Sequence, residues 1–348
     1  MAEKVKQHYV PQFYLKRFMN DENRIWQYNK SNGSDVNMIP KNIAHQRNLY
    51  GKDSFLENIL SEMENKFAFA IKNVAEQIQE DKLFLSVEDK ANLLGFASIQ
   101  LSRSKSHNDL LINVNNMGEE KFKKRIIPEI NGSLMNSSIL VGGIQGMTFS
   151  DLEVIGIKHN LRSAQFIASD NPVIPTNQAA AIKKVQVTGH NAVGFMVYFP
   201  ISAMHAIILY DRSVYSFENT KNNIVKLISV NDVNALNKLS IAYSDLFIFH
   251  QNKLKENEKR QIENMGSVIE TTINPDTEYK GQKRILVKLP FLNRIMKIPY
   301  MKIRNNPYGK IKQQINRPQQ SQLQSDAILM ADELVKKAKI ELEKQNEN

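Results

Sequence analysis

The chain has 348 residues, 42% apolar and 24% charged, the balance of a soluble globular protein long enough to bury one large core or two. It has no cysteine, which excludes disulfides and cysteine-held zinc and suits a reducing compartment. Of the net charge of +10, the stretch 280–317 supplies eleven Lys or Arg and no Asp or Glu, so the rest of the chain sums to −1.

In chain order, the opening residues are polar with no apolar run behind them, so no signal peptide is expected. Pro11 fits the first turn of a helix, where its missing N–H is harmless. Tyr14, Leu15 and Phe18 then share a core-facing side, and His8 and Gln12 sit at the helix mouth. Residues 24–28 and 35–39 flank Ser31-Asn32-Gly33-Ser34, a hairpin signal. Ser54-Phe55-Leu56-Glu57 reads as a capping box opening a long helix to about Gln79. Its stripe is Phe55, Ile59, Met63, Phe67, Ile71, Val74 and Ile78. Ser86-Val87-Glu88-Asp89 resembles a second box, opening a helix to about Arg103.

From about residue 139 short β-like runs appear, at 152–157, 165–168, 185–187, 193–199 and 205–210. Val141-Gly142-Gly143-Ile144-Gln145-Gly146 lacks the ending of a P-loop and the spacing of a dinucleotide fingerprint, and reads as a turn. Asn231 is placed as the cap of a helix over 232–242, followed by a strand at 246–249, a helix at 256–270 and a strand at 284–289. A polar Gln-rich linker at 313–324 precedes an amphipathic helix at about 326–344, suited to self-association or a partner protein. No apolar run is long enough to span a bilayer, so a cytoplasmic protein without a membrane is expected. The fold class is α+β: a helical N-terminal half, a strand-rich middle with an antiparallel or mixed sheet, then a basic segment and a terminal helix. Two units are expected, 1–275 and 276–348.

The opening His8-Tyr9-Val10-Pro11-Gln12-Phe13-Tyr14-Leu15-Lys16-Arg17-Phe18 resembles the signature of domain-of-unknown-function family 4238. Glu57 and Glu64, Ser98-Ile99-Gln100-Leu101-Ser102-Arg103, Phe166-Ile167-Ala168-Ser169-Asp170-Asn171-Pro172-Val173 and Val233-Asn234-Ala235-Leu236-Asn237 are similar to further stretches of that family. Ser104-Lys105 departs from the Thr-Pro expected after Arg103. The resemblance covers roughly residues 8–250 and implies candidate residues without a reaction.

Those candidates are His8, Gln12, Glu57, Glu64, Arg103, Asp170 and Asn171. Glu57 and Glu64, seven apart, project from nearly one helix face; the plainer reading is a solvated acidic face. Asp170 ends a strand where catalytic groups are often mounted, or it forms an Asx turn with Asn171. If Glu57, Glu64 and Asp170 meet, their oxygens would hold Mg²⁺ or Mn²⁺. His8 would then act as acid or base and Arg103 would grip a phosphate. The expectation is a metal-dependent nuclease, acting on RNA and serving as a toxin or phage-defence effector. The alternative is a non-catalytic nucleic-acid-binding or sensing module, with His8 to Arg103 a structural network. In the basic stretch, Lys283, Arg284, Arg294, Lys297, Lys302, Arg304, Lys310 and Lys312 interleave with Phe291, Tyr300 and Tyr308, the residue types of phosphate contact and base stacking. A surface strand pair with a wet Lys face has the same composition.

Overall fold

The computed structural model describes residues 6–317 apart from 51–54, 123–126, 128–132, 186–188, 266–271, 280–281, 289–291, 293, 305–306 and 314–315. Strand β1 (Lys6–His8) leads into α1 (Gln12–Leu15), which tightens into a 3₁₀ turn at Lys16–Phe18. Pro11 is the N-cap, one position before the first helical residue. Tyr14, Leu15 and Phe18 are fully buried, as their spacing requires. The hairpin β2 (Ile25–Asn29) and β3 (Asp35–Met38) turns through Gly33 at φ +68°, a left-handed backbone that glycine adopts without strain. Strand β4 (His45–Arg47) pairs antiparallel with β1.

Helices α2 (Phe55–Gln79) and α3 (Val87–Ser102) run as the apolar spacing predicts. The Ser86 side chain accepts from the Asp89 amide and caps α3. Ser54 of the first capping box lies outside the described residues. Helices α4 (Lys105–Phe122) and α5 (Leu134–Gln145) follow. The glycines expected in a turn at 141–146 belong to α5 and the 3₁₀ turn after it. A Cβ on Gly142 would stand 2.7 Å from Ser102 Cβ, so the pair lets α5 approach α3 closely.

The second half supplies β5 (Glu153–His159), β6 (Ala168–Ser169), β7 (Ile174–Thr176), α6 (Gln178–Ile182), β8 (Met196–Pro200), β9 (His205–Tyr210), β10 (Tyr215–Phe217), β11 (Thr220–Lys221) and β12 (Ile224–Leu227). After them come α7 (Val230–Ala242), β13 (Phe247–His250), α8 (Glu256–Met265), β14 (Thr272–Tyr279), β15 (Gln282–Lys288), β16 (Met301–Ile303) and α9 (Tyr308–Lys312). Of β14 and β15 the backbone alone is described. Helix α7 begins earlier than expected: Ser229, not Asn231, is its cap, accepting from the Asp232 amide at 3.2 Å.

A six-stranded sheet runs β11-β12-β5-β9-β8-β7, with β12 parallel to β5 and the other pairs antiparallel. A four-stranded sheet runs β3-β2-β13-β6. The fold is therefore α+β with a mixed sheet. Along β8 and β9 the side chains alternate between two cores. Val197, Phe199, Ile207 and Leu209 join α1, α2 and α3 on one side, while Met196, Tyr198, Ala206 and Ile208 join α6 and α7 on the other. Strands buried on both faces read as apolar runs, which is why this part was legible.

The residues expected to form a separate unit from 276 onward do not stand apart where they are described. Leu292, Met296, Ile298 and Ile311 are buried in the second core, and β16 pairs with β10. The linker beyond residue 313 and the helix at 326–344 lie outside the described residues.

Candidate functional site

The last turn of α3 delivers Arg103 into the interior, 3% exposed. Its Nη1 donates to Glu64 Oε1 at 2.5 Å and its Nη2 to the His8 carbonyl at 2.6 Å. Its Nε donates to the Tyr50 hydroxyl, and the guanidinium lies over the Tyr50 ring. Tyr50 in turn donates from its hydroxyl to the same His8 carbonyl and from its amide to Gln7 Oε1. Burial alone would lower the guanidinium's pKa, but Tyr50 and Glu64 overcome it and the group is held charged. Glu57 lies half-buried two turns before Glu64, and both carboxylates act on the Tyr50 phenol. Gln100 donates to the Tyr9 carbonyl at 2.8 Å. The signature thus fastens β1 to α2 and α3.

His8 touches Gln12 through Nδ1 at 3.5 Å and meets the edge of the His45 ring. Burial, then the neighbouring His45, lowers its pKa to about 4, with Arg103 and Lys6 acting the same way. Its imidazole is neutral at pH 7.

Asp170 is placed elsewhere. The chain leaves β6 there, and its carboxylate accepts three amides where the chain turns into β13: Asp245 on Oδ1 at 2.9 Å, and Leu246 at 2.7 Å and Phe247 at 2.9 Å on Oδ2. Asn171 donates its side-chain amide to the Tyr243 carbonyl at 3.2 Å. Burial and the charge of Asp245 raise the Asp170 pKa to about 6 against the pull of the three amides. The side chains of this pair fasten backbone, but not the nearby backbone of an Asx turn: their partners lie more than seventy residues away. A cleft of about 280 Å³ opens beside it, lined by Tyr9, Lys105, Asp109 and Asp245 among others.

Consecutive residues His8 and Tyr9 divide the two clusters between them. The His8 carbonyl joins Arg103 and Tyr50, while the Tyr9 side chain lines the Asp170 cleft. Among the described residues no three His, Asp or Glu side chains are grouped to hold a metal ion. Glu57 and Glu64 gather around Tyr50 and Arg103; Asp170 gathers around the 245–247 amides.

In the basic segment Arg294, Lys297, Lys302, Arg304, Lys310 and Lys312 are exposed. Lys297 pairs with Asp232 at 3.5 Å and Lys302 with Glu218. Pairs this open to water hold little energy and yield readily to a competing anion. Of Lys283 and Arg284 only the backbone, in β15, is described. Tyr300 and Tyr308 pack half-buried on the second core, Tyr308 beneath the Lys183 ammonium. Phe291 lies outside the described residues. Arg317 differs from the other cations. It is 2% exposed and forks onto Asp151, with further bonds to the Thr148, His190 and Ala192 carbonyls. Sequence reading missed it as a core anchor because it stands within a Gln-rich stretch that looks solvated.

A family model described as "Protein of unknown function (DUF4238)" matches residues 6–138 and 146–254. The chain belongs to the DUF4238 family. No curated protein and no solved structure matches it. The matched span holds both polar clusters and ends before the basic segment. Among the described residues no helix is long and apolar enough to cross a membrane.

Proposed function

We propose that this chain is a nucleic-acid-binding module whose exposed cations at 294–312 contact phosphates. The observation that carries this reading is charge placement. The stretch 280–317 holds no acid at all, and six of its cations reach water on one folded segment. The phosphate backbone supplies most of the affinity in such binding. Arg103 and Asp170, in contrast, have their polar atoms engaged inside the protein, which favours binding over cleavage. Titration of a labelled oligonucleotide at stepwise salt tests the reading. If Arg294, Arg304, Lys310 and Lys312 each neutralise one phosphate of a single strand, log K falls against log salt with a slope of roughly −3. Failure to bind at low salt would remove the proposal.

A second reading, metal-dependent phosphodiester hydrolysis by a defence effector, draws on one feature. His8 is held neutral by burial and by the neighbouring His45, as a general base requires, and its carbonyl accepts from the Arg103 that pairs with Glu64. Glu57 and Glu64 would then supply oxygens to Mg²⁺ or Mn²⁺. Incubating RNA and DNA with the protein, with either metal or with chelator, tests it, and E64Q is the matched control.

A further inference from the structure

Helices α7 and α8 and the chain at 294–297 line two adjoining open clefts of about 450 and 500 Å³ that share Lys238, Gln261, Met265 and Arg294. Such volumes lie within the span of small-ligand sites, roughly 300–1,000 Å³. Helical spacing explains the lining. Asn231, Asn234 and Lys238 fall at i, i+3 and i+7 of α7, while Asn257, Gln261 and Asn264 fall at i, i+4 and i+7 of α8. Both stripes are rich in amides where a merely solvated face would mix charges of both signs. Arg294 and Lys297 close the opposite side, and among the described residues no carboxylate lines either cleft. Ile295, 59% exposed, and half-buried Met265 add an apolar patch.

The opposite side is also held in place. Gln178 is 1% exposed, accepts from the Met296 amide at 2.7 Å and donates to the Arg294 carbonyl at 3.2 Å. Clamping at two points fixes the backbone from which Arg294 projects, so ordering on binding is confined to its side chain.

We propose that this groove seats a nucleotide unit, its phosphate between Lys238 and Arg294 and its base against the amides. The inference rests on the nucleic-acid reading and adds to it a single-stranded ligand and a place for the base. Guanidinium and ammonium are the phosphate-binding groups. Each side-chain amide offers both a donor and an acceptor, which is what a base edge needs. A base can enter a groove of this size only when it is unpaired, so a duplex meets the outer cations alone.

The test compares wild type with N234A/Q261A, which leaves charge unchanged, and with K310Q/K312Q, outside the groove. Ligands are labelled oligo-U, oligo-dT, a duplex of equal length, and AMP, with melting curves for each variant. We expect N234A/Q261A to weaken oligo-U or oligo-dT roughly tenfold, as loss of paired polar contacts does, with the salt slope and the duplex unaffected. K310Q/K312Q should weaken single strand and duplex alike and lower the slope. If N234A/Q261A binds single strands as wild type does, the groove assignment fails and the nucleic-acid reading survives. If AMP binds and depends on Asn234 and Gln261 while oligonucleotides do not bind, the nucleic-acid reading fails and the groove is a free-nucleotide site. Should Q261A or N234A melt early, N231A/N264A, at exposed lining positions of the two helices, provides the same charge-neutral comparison.

Discussion

Arg103 and Arg294 are both guanidinium groups beside polar side chains, yet their surroundings differ in kind. Arg103 is buried, and Tyr50, Glu64 and the His8 carbonyl engage three of its donors. Arg294 is exposed on a clamped backbone beside a groove of neutral amides. The first arrangement holds elements together and the second leaves a cation for a ligand. Arg317 falls with Arg103, although it stands in the basic segment with Arg294. Sequence proximity to other cations is therefore a poor guide to a cation's role; burial and carboxylate partners decide it.

The comparison breaks most sharply at Arg103. R103A should cost about 3–5 kcal/mol, because Glu64 and the His8 carbonyl lose the charge they enclose. Chemical denaturation measures this, and R294A, its exposed counterpart, should stay within about 0.5 kcal/mol of wild type. D170N comes next. The asparagine has one acceptor oxygen where three amides converge, and its NH₂ would face an amide donor. A loss of about 2–3 kcal/mol is expected, together with faster hydrogen exchange at 245–247.

Acidification should act on the buried histidines. His8, His107, His190 and His205 all have pKa values lowered to about 4, first by burial. Between pH 6.5 and 4 the unfolded chain therefore binds protons that the folded chain refuses, and stability falls as pH drops through that window. Asp170 works in the opposite direction. Its pKa, raised to about 6, makes the folded state hold the proton more tightly, so its contribution declines as pH rises from about 4 to 6. Four histidines outweigh one carboxyl, so Tm should decrease steadily from pH 7 to pH 5, and H107Q should flatten the curve. The smallest stability effect belongs to K310Q/K312Q. Its Tm should match wild type while its salt slope for a single strand shifts by roughly 1.4, two phosphate contacts' worth.

Local signals carried much of the fold. Ser86 capped its helix, and the apolar period gave α2 to its end at Gln79. Asn32-Gly33 turned its hairpin. Gly142 misled because glycine marks both a turn and a close helix contact, and only Ser102 on another helix distinguishes them. The Arg103 cluster was legible in part, since a cation late on an apolar helix needs a carboxylate and Glu64 was at hand. Tyr50 was not, because nothing local marks a phenol that will lie under a guanidinium. Asp170 was singled out as a site or a turn residue, but its partners are distant backbone amides, which have no signature in a sequence. The α7–α8 groove was invisible for a related reason: it needs three segments that only tertiary structure brings together.

The most direct measurement follows one labelled single-stranded RNA with the intact protein in Mg²⁺, reading retention and strand length in the same sample over a salt series. The account predicts RNA that is bound at low salt, released as salt rises and recovered at full length. RNA that is shortened, or that never binds at low salt, would contradict it.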